Sequence, residues 1–176
     1  YMGKGSIVLQ SGGKDSLLLA SLLEQENTEF SPWYIRYSNA YPEILNQLGR
    51  PLQTVRRTLD MPALKSASVR GALNGHVPVT YIVLSYALID AIWQGKDTVL
   101  AAIGNEGAEA HAYMGDMPVN HQWAKTWEAE QLFAKYVHDY VSPDLQVGSP
   151  LRGFSELRIA ELFVEKCWEK CGHAFS

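Results

Sequence analysis

The sequence predicts an α/β fold with three layers, in which helices cover both faces of a five-stranded, mostly parallel sheet. Short apolar segments alternate with segments of helical periodicity along the 176 residues, and this alternation is typical of parallel strands joined by right-handed crossovers. Apolar residues make up 47% of the chain and charged residues 19%, which is the balance of a folded globular domain. In such a sheet, ligands bind at the carboxyl ends of the strands.

The first strand and the first helix are separated by a pair of glycines. Residues 6–10 are a short apolar segment next to glycine, which is typical of a buried strand. Helical spacing then relates four leucines, namely Leu17, Leu18, Leu22 and Leu23. The glycines at 12 and 13 therefore mark a turn from strand to helix.

The next part of the chain repeats this alternation. Residues 33–37 and 53–59 have the composition of a second and a third strand. Between them, residues 42–48 are predicted to form a short helix, with proline in its first turn and glycine after its end. Residues 60–78 have no clear periodicity, so the sequence predicts no regular element there.

The remaining elements complete the predicted sheet. Residues 79–93 form a mostly apolar helix followed by Gly95, and residues 97–103 a fourth buried strand. A long polar loop at 104–122 is expected to be functional. A helix over about 124–141 precedes an extended piece near 145–147. We expect its aromatic stripe to pack in the core: Trp123, Trp127, Phe133, Tyr136, Val137 and Tyr140. Ser155 is the expected N-cap of the last helix.

Composition limits the cellular setting and the classes of partner. The net charge of −4 argues against broad binding to a nucleic acid backbone. No apolar segment has the about 20 residues that cross a bilayer, and no export signal or disulfide framework is evident, so we expect a cytoplasmic protein. We expect residues 1–176 to be a single domain and a fragment of a longer protein, and we make no prediction of oligomeric state.

The most informative motif is Ser-Gly-Gly-Lys-Asp-Ser at residues 11–16. Adjacent glycines let backbone N–H groups approach an anion, and the helix that follows directs its unpaired N–H groups and positive dipole end to the same point. The motif lacks the spacing of a Walker loop or a dinucleotide-binding loop. The alternative is that the glycines only turn the chain and that Asp15 or Ser16 caps the helix.

This motif resembles the PP-loop of the adenine nucleotide alpha hydrolase-like superfamily, whose N-type ATP pyrophosphatases split ATP into AMP and pyrophosphate. The resemblance implies that ATP is bound by the loop residues Ser11, Gly12, Gly13, Lys14, Asp15 and Ser16. It also implies that Asp15 helps to place Mg²⁺ and that Arg36 lies near the adenine or ribose. A solvated Arg36 without such a role is the alternative.

Four further segments resemble the UDP-N-acetylmuramoyl-L-alanyl-L-glutamate epimerase family of peptidoglycan synthesis. They lie at residues 75–80, 104–106, 119–122 and 155–160, and the resemblance extends from about Ile7 to the end of the chain. It implies ATP- and Mg²⁺-dependent adenylation of a terminal L-glutamate, followed by inversion. The sequence departs from the family at 107–109, where Gly-Ala-Glu replaces Arg-Ser-Ala.

The candidate residues beyond the loop come from these family-like segments, except Arg152, which precedes the last of them. His121 and His76 are candidate proton-transfer groups, because an imidazole titrates near neutral pH, although an ordinary structural hydrogen bond is the alternative for each. Glu106 is a candidate to bind Mg²⁺ or to accept a ribose hydroxyl, and a carboxylate that only stabilises its loop is the alternative. The other candidates are Gly104 and Asn105 for the nucleotide, and Asn120 and Arg152 for the substrate.

Two other functions use the same fold. The segment Cys171-Gly172-His173 is similar to the C-terminal motif of phosphoadenylyl-sulfate reductases, which are thiol enzymes. A non-catalytic adenine nucleotide-binding module is the second alternative. Cys167 and Cys171 share one helical face with His173 beyond them, which would begin a zinc site, but buried reduced thiols are the expected state.

Overall fold

A computed structural model describes residues 2–72, 77–105 and 110–172. The strands in chain order are β1 (Ser6–Leu9), β2 (Phe30–Arg36), β3 (Gln53–Arg56), β4 (Thr98–Leu100), β5 (Ala112–Met114), β6 (Met117–Val119) and β7 (Gln146–Gly148). The α-helices are α1 (Lys14–Gln25), α2 (Met61–Val69), α3 (Val79–Trp93), α4 (Trp127–Tyr140) and α5 (Glu156–Cys171). Two 3₁₀ helices cover Glu43–Leu48 and Trp123–Lys125.

Five strands form one sheet in the order β3-β2-β1-β4-β7, and every neighbouring pair is parallel. The chain therefore moves from β1 to one side of the sheet and later returns to β4 on the other side of β1. The loops after these two strands diverge at that point, which creates a crevice at their carboxyl ends. The predicted fold class is confirmed, and the crevice lies where the phosphate-loop motif follows β1.

Two apolar cores cover the two faces of the sheet. On one face, Val8 packs with the buried leucines of α1 and with Ile159 of α5. On the other face, Ile7 packs with Trp33 and with Leu84 of α3. The side chains of β1 alternate between these cores, because successive residues of a strand point to opposite faces. Helices on both sides of a parallel sheet give the predicted three layers.

Local sequence signals explain where most helices begin. Ser155 accepts a hydrogen bond from the Arg158 backbone N–H at 3.2 Å, so the predicted N-cap of α5 is confirmed. Thr126 caps α4 in the same way through the N–H of Ala129. Helix α1 differs, because its N-cap is Gly13 and no side chain caps it. Its first N–H groups are therefore available to an anion.

Three predictions about elements were wrong. Residues 60–78 contain α2, which has no buried residue and so has no apolar face to reveal it. The loop at 104–122 contains the antiparallel β5–β6 hairpin. In the aromatic stripe of the α4 region, only Phe133 and Val137 join the core, because Trp123, Trp127, Tyr136 and Tyr140 are exposed.

Candidate functional site

A cleft of about 820 Å³ opens at the carboxyl ends of β1, β2 and β4. The phosphate-loop motif forms one wall, with Ser11, Gly13 and Asp15 among the lining residues. The first turns of α3 and the segment after β4 form the opposite wall, and Lys125 lies at the rim. This is the position that the topology of the sheet predicts for a ligand.

The backbone of the loop depends on Gly12. Its φ is +79°, a conformation that residues with a Cβ rarely adopt. A Cβ at this position would also lie 2.7 Å from the Pro42 Cβ. Gly13 has an ordinary φ of −83°, and the nearest atom to an added Cβ is the Ser11 Oγ at 3.3 Å. Gly12 therefore makes the turn, whereas Gly13 keeps the cleft side of the loop free of a side chain.

Two serine hydroxyls fix the shape of the loop. The Ser16 Oγ accepts from the backbone N–H of Ser11 at 3.2 Å and donates to the carbonyl of Gly13 at 3.0 Å. The Ser11 Oγ accepts from the N–H of Gly13 at 3.2 Å and lies 3.2 Å from the Ser16 Oγ. The hydroxyls that the sequence predicts to hold phosphate thus stabilise the turn itself.

The charges of the loop centre on Lys14. Its Nζ donates to the carboxylate of Asp15 and, at 2.8 Å, to Glu156 at the first position of α5. Burial lowers the pKa of Lys14, but its hydrogen bonds to Asp15 and Glu156 outweigh burial and raise that pKa above the ordinary value. Lys14 is therefore a stable cation in the cleft wall.

Apolar and aromatic groups line the rest of the cleft. Trp33, Ile35 and Tyr37 contribute from β2 and its end, and Val83 contributes from α3. Tyr37 is 48% exposed, and the Arg57 guanidinium lies 5.6 Å from its ring centre. Such a surface beside an anion site is suited to a ligand with one charged and one aromatic end.

Two buried polar side chains near the cleft have unpaired atoms. Gln10 is 6% exposed and lines the cleft, and both its amide nitrogen and oxygen have no partner among the described residues. The Nε of Arg36 is likewise buried without a partner. Ile35 and Tyr37, on either side of Arg36 in the chain, both line the cleft, whereas Arg36 is not a lining residue. It lies at the predicted end of β2.

The segment after β4 contacts the start of α5. A Cβ at Gly104 would lie 2.5 Å from the Ile159 Cδ1 and 3.1 Å from the Phe154 carbonyl oxygen. The N–H of Asn105 donates to the same carbonyl at 2.8 Å. Gly104 is thus required for close packing on α5, and neither residue belongs to the cleft lining. Glu106, the predicted metal ligand, lies outside the described residues.

The histidine and asparagine candidates lie at the base of the β5–β6 hairpin. The rings of His111 and His121 are 4.1 Å apart between centres, because the His111 N–H pairs with the Val119 carbonyl and brings the two segments together. Asn120 accepts from the N–H of Gln122 through its Oδ1. These residues are outside the cleft lining, and His76 lies outside the described residues.

Arg152 has internal partners. It donates to Glu130 from Nε and Nη2, and from Nη1 to the carbonyls of Gly104 at 2.8 Å and Lys125 at 2.7 Å. The side chains of Arg152 and Glu130 are 11% and 9% exposed. Four of the contacts that a guanidinium offers are used within the protein, and the substrate-binding role of Arg152 stays a prediction.

The two cysteines are buried and unpaired with each other in a disulfide. Burial raises the pKa of the Cys167 thiol and of the Cys171 thiol, which disfavours the thiolate that a thiol enzyme needs. Among the described residues, no cluster of three His, Cys, Asp or Glu side chains is placed to hold a metal ion. His173 lies outside the described residues.

The sequence did not indicate two charged residues of this region as site residues. Glu156 contacts Lys14 across 142 positions of the chain, and Lys125 reaches the cleft rim from the Trp123–Lys125 turn. No short motif joins either residue to the loop. The only signal was that Glu156 belongs to a family-like segment at the start of a helix.

Comparison with protein families and curated proteins gives consistent matches. The family model described as the MurL N-terminal domain matches residues 2–149. A UDP-N-acetyl-alpha-D-muramoyl-L-alanyl-L-glutamate epimerase from Xanthomonas oryzae pv. oryzae is 32% identical over 160 residues, which are 91% of this chain and 35% of that protein. An epimerase of the same name from Salinispora tropica is 29% identical, over 92% of this chain and 35% of its own length. The chain spans about a third of the length of these relatives.

Solved structures share the fold at low identity. A predicted tRNA methyltransferase subunit from Methanocaldococcus jannaschii has a TM-score of 0.53 and 16% identity, over 92% of this chain and 75% of that one. The U34-tRNA thiolase NcsA from Methanococcus maripaludis has a TM-score of 0.54 and 14% identity, over 94% of this chain and 59% of that one. These likenesses support the α/β fold, and at such identity they show the fold alone.

Proposed function

Since this chain belongs to the MurL N-terminal domain family, we propose that it binds ATP and activates the substrate carboxylate in a UDP-muramoyl-dipeptide epimerase. The substrate would be the terminal L-glutamate of UDP-N-acetylmuramoyl-L-alanyl-L-glutamate, after the name that the relatives carry. The observation that carries the proposal is the uncapped start of α1, which faces the cleft behind a glycine turn.

The support for ATP is the division of the cleft into two parts. The N–H groups at the start of α1 and the Lys14 ammonium are the proposed donors to the phosphates, with Lys14 exchanging its contact with Glu156 for a phosphate oxygen. Tyr37, Val79 and Val83 form an apolar region suited to a base. In this arrangement the triphosphate lies on the loop and the adenine lies toward the end of β2, where Arg36 is the proposed neighbour.

The donor set of the cleft fits Mg²⁺. Asp15 lines the cleft and Glu156 is nearby through Lys14, and carboxylate oxygens are the ligands that Mg²⁺ prefers. Asp15 is the proposed protein ligand, together with Glu106. When bound, Mg²⁺ would neutralise charge on the phosphate oxygens.

Adenylation would prepare the glutamate for loss of its α-proton. A carboxylate oxygen forms a bond to the α-phosphorus of ATP while the bond to the bridging oxygen breaks, and pyrophosphate leaves. The acyl-adenylate is neutral at the carbonyl, so removing the α-proton no longer places a second negative charge beside a carboxylate. Transfer of the proton to a side-chain base, return from the other face and hydrolysis of the adenylate would give the D-glutamyl product and AMP.

His121 is the proposed base in the described part of the chain, and His76 is the other candidate. The support for His121 is its place in the family-like segment at 119–122, since an imidazole can accept and return a proton. Asn120 is the proposed substrate ligand next to it. Both residues lie outside the cleft lining, so this proposal requires the β5–β6 hairpin to approach the bound substrate.

The test separates activation from proton transfer. The protein is incubated with ATP, Mg²⁺ and the UDP-muramoyl dipeptide in deuterated solvent, and AMP, pyrophosphate and α-deuterium are measured. We expect AMP and pyrophosphate only with the dipeptide, and His121→Asn should suppress deuterium incorporation while AMP still forms. The control substrate is UDP-muramoyl-L-alanine, which lacks the glutamate. Two results would contradict the epimerase proposal. One is AMP formation at the same rate with and without the dipeptide, and the other is chiral analysis that finds only L-glutamate with the intact protein.

A further inference from the structure

The outer face of α3 carries a stripe of large apolar side chains that no described residue covers. Tyr86 is 40% exposed, Ile89 is 64% exposed and Trp93 is 88% exposed, and Ile82 continues the stripe toward the cleft. The opposite face of the same helix is buried against the sheet. Its buried residues are Leu84, Ala87, Leu88 and Ala91. Helix α3 is thus apolar on both sides, which is typical of a helix with neighbours on both sides.

The spacing of the stripe is that of a helix pair. Ile82, Tyr86, Ile89 and Trp93 follow each other at intervals of four, three and four residues. This is the heptad spacing of a seam along which two helices pack side by side. Scattered exposed apolar residues do not produce such a seam, so the stripe differs from an ordinary surface.

The stripe contains no charge. The acidic residue of α3, Asp90, accepts a hydrogen bond from the indole of Trp33 at 2.7 Å and is thereby directed toward the sheet. Helix α4 provides the contrast, because its exposed Tyr136 and Tyr140 alternate with Lys135 and Asp139, which pair with each other. The α4 surface is therefore mixed, whereas a partner of α3 must itself present an apolar stripe.

We propose that the outer face of α3 is the interface of a homodimer, in which α3 of one copy packs antiparallel against α3 of a second copy. The stripe is complementary to itself in that orientation. Each aromatic ring meets an isoleucine of the partner, Trp93 opposite Ile82 and Tyr86 opposite Ile89, so that large side chains alternate with smaller ones in every layer. A contact of this kind has two-fold symmetry and closes at two copies.

The surface available is sufficient for a specific dimer. A stable interface buries at least about 1,000 Å² in total, and an aromatic side chain buries about 150–250 Å². Four aromatic rings and four isoleucines, from the two copies together, reach that order of area. The interface lies beyond the part of α3 that lines the cleft, so the dimer leaves the nucleotide site open and does not depend on the proposed ATP binding.

The experiment measures the oligomeric state of the 176-residue chain by analytical ultracentrifugation over a range of concentrations. The wild-type chain is expected to sediment as a dimer. Ile89→Glu should weaken association by more than about a hundredfold, because it buries an unpaired charge at the seam. Ile89→Leu is the conservative variant and should remain dimeric. Val164→Glu is the matched control on α5, where Val164 is 59% exposed, and it should also remain dimeric.

Folding and contact are checked separately. Circular dichroism should give the same helix content for Ile89→Glu as for the wild type, since glutamate has a good helix propensity. Acrylamide quenching of Trp93, taken as the difference from Trp93→Phe, should fall as the wild-type chain associates. A folded wild-type chain that stays monomeric at every concentration would overturn the proposal, as would a dimer that Ile89→Glu leaves intact.

Discussion

Single residues determine the shape of the phosphate loop, and the two glycines have separate functions in it. Gly12 needs its positive φ and has no room for a Cβ beside Pro42. Gly13 has an ordinary φ and meets only the Ser11 hydroxyl. The same substitution should therefore lower the free energy of unfolding by different amounts at the two positions.

Gly12→Ala is expected to lower the free energy of unfolding by about 1–3 kcal/mol, because it forces a Cβ into a left-handed backbone and against a ring. Gly13→Ala should lower it by less than about 1 kcal/mol, because alanine can adopt the φ of Gly13 and loses only the advantage of glycine as an N-cap. Urea unfolding of both variants measures the difference. Equal losses at the two positions would contradict the assignment of the turn to Gly12.

The Lys14–Glu156 pair has more effect on binding than on stability. Glu156 is about half exposed, and such a pair contributes at most about 1 kcal/mol to folding. Glu156 holds the ammonium that a triphosphate would need.

Glu156→Gln is expected to strengthen ATP binding by about two- to fivefold, which corresponds to the loss of one exposed charge contact. Removing this carboxylate also removes repulsion of the phosphates. Calorimetric titration with ATP measures the change, and Glu161→Gln on the solvent-exposed part of α5 is the control. Weaker binding in Glu156→Gln would instead identify Glu156 as part of the site that holds the nucleotide.

Tyr81 gives a prediction for alkaline pH. Burial raises the pKa of Tyr81 to about 12, and Glu130 adds to the increase. Between about pH 10 and pH 12 the unfolded chain loses this proton while the folded chain keeps it, so the free energy of unfolding falls as the pH rises through that window. Tyr81→Phe should remove this part of the decline. Urea unfolding at about pH 9 and about pH 11 tests it, and an unchanged decline would contradict the assignment.

At the scale of elements, the Arg152–Glu130 pair joins α4 to the ends of β4 and β7. Glu130 also accepts from the Ser149 N–H through its second oxygen, and Arg152 bonds to the carbonyls of Gly104 and Lys125. These contacts hold the segment that forms one side of the cleft.

Arg152→Ala is expected to lower the free energy of unfolding by about 3–5 kcal/mol, because it leaves the Glu130 carboxylate buried without its partner. The double variant Arg152→Ala with Glu130→Ala should lose less than the two single losses combined, because the pair is coupled. Urea unfolding measures all three. A loss below about 1 kcal/mol in Arg152→Ala would mean that its guanidinium is free for a substrate, as the sequence alone predicts.

The sequence predicts a helix or strand correctly where the apolar face of that element is buried in the core. The predicted helix 79–93 coincides with α3, because its inner face packs on the sheet and Gly95 follows its end. Helix α2 was missed because no residue of it is buried. The β5–β6 hairpin has a readable signal, since Gly115 and Asp116 separate two three-residue strands and Gly115 has a φ of +63°.

The candidate site was predictable only where it is contiguous in the sequence. The loop at 11–16 brings its own residues together at the end of a strand, and all of them except Gly12 line the cleft. Glu156 and Lys125 come to the same region only through folding, and no local pattern predicts them. The pairing of Arg152 with Glu130 was not predicted, because the sequence does not reveal that Glu130 is buried beside it.

At the scale of the whole molecule, the sheet order concentrates the chemistry at one edge. The loops after β1 and β4 diverge around the cleft, and the two apolar cores hold α1 and α3 on opposite faces. None of the helices in the described part of the chain has the length and apolarity to span a membrane. The function proposed for the chain depends on whether this cleft binds a nucleotide.

Calorimetric titration of the 176-residue chain with ATP and Mg²⁺ tests that claim most directly. The wild type is expected to bind one ATP per chain with saturation. Gly13→Val should bind at least about tenfold more weakly while its far-ultraviolet circular dichroism is unchanged, because the added side chain enters the space from which the N–H groups reach phosphate. ATP binding of equal affinity in both proteins, or no binding by the folded wild type, would contradict a phosphate site at the start of α1.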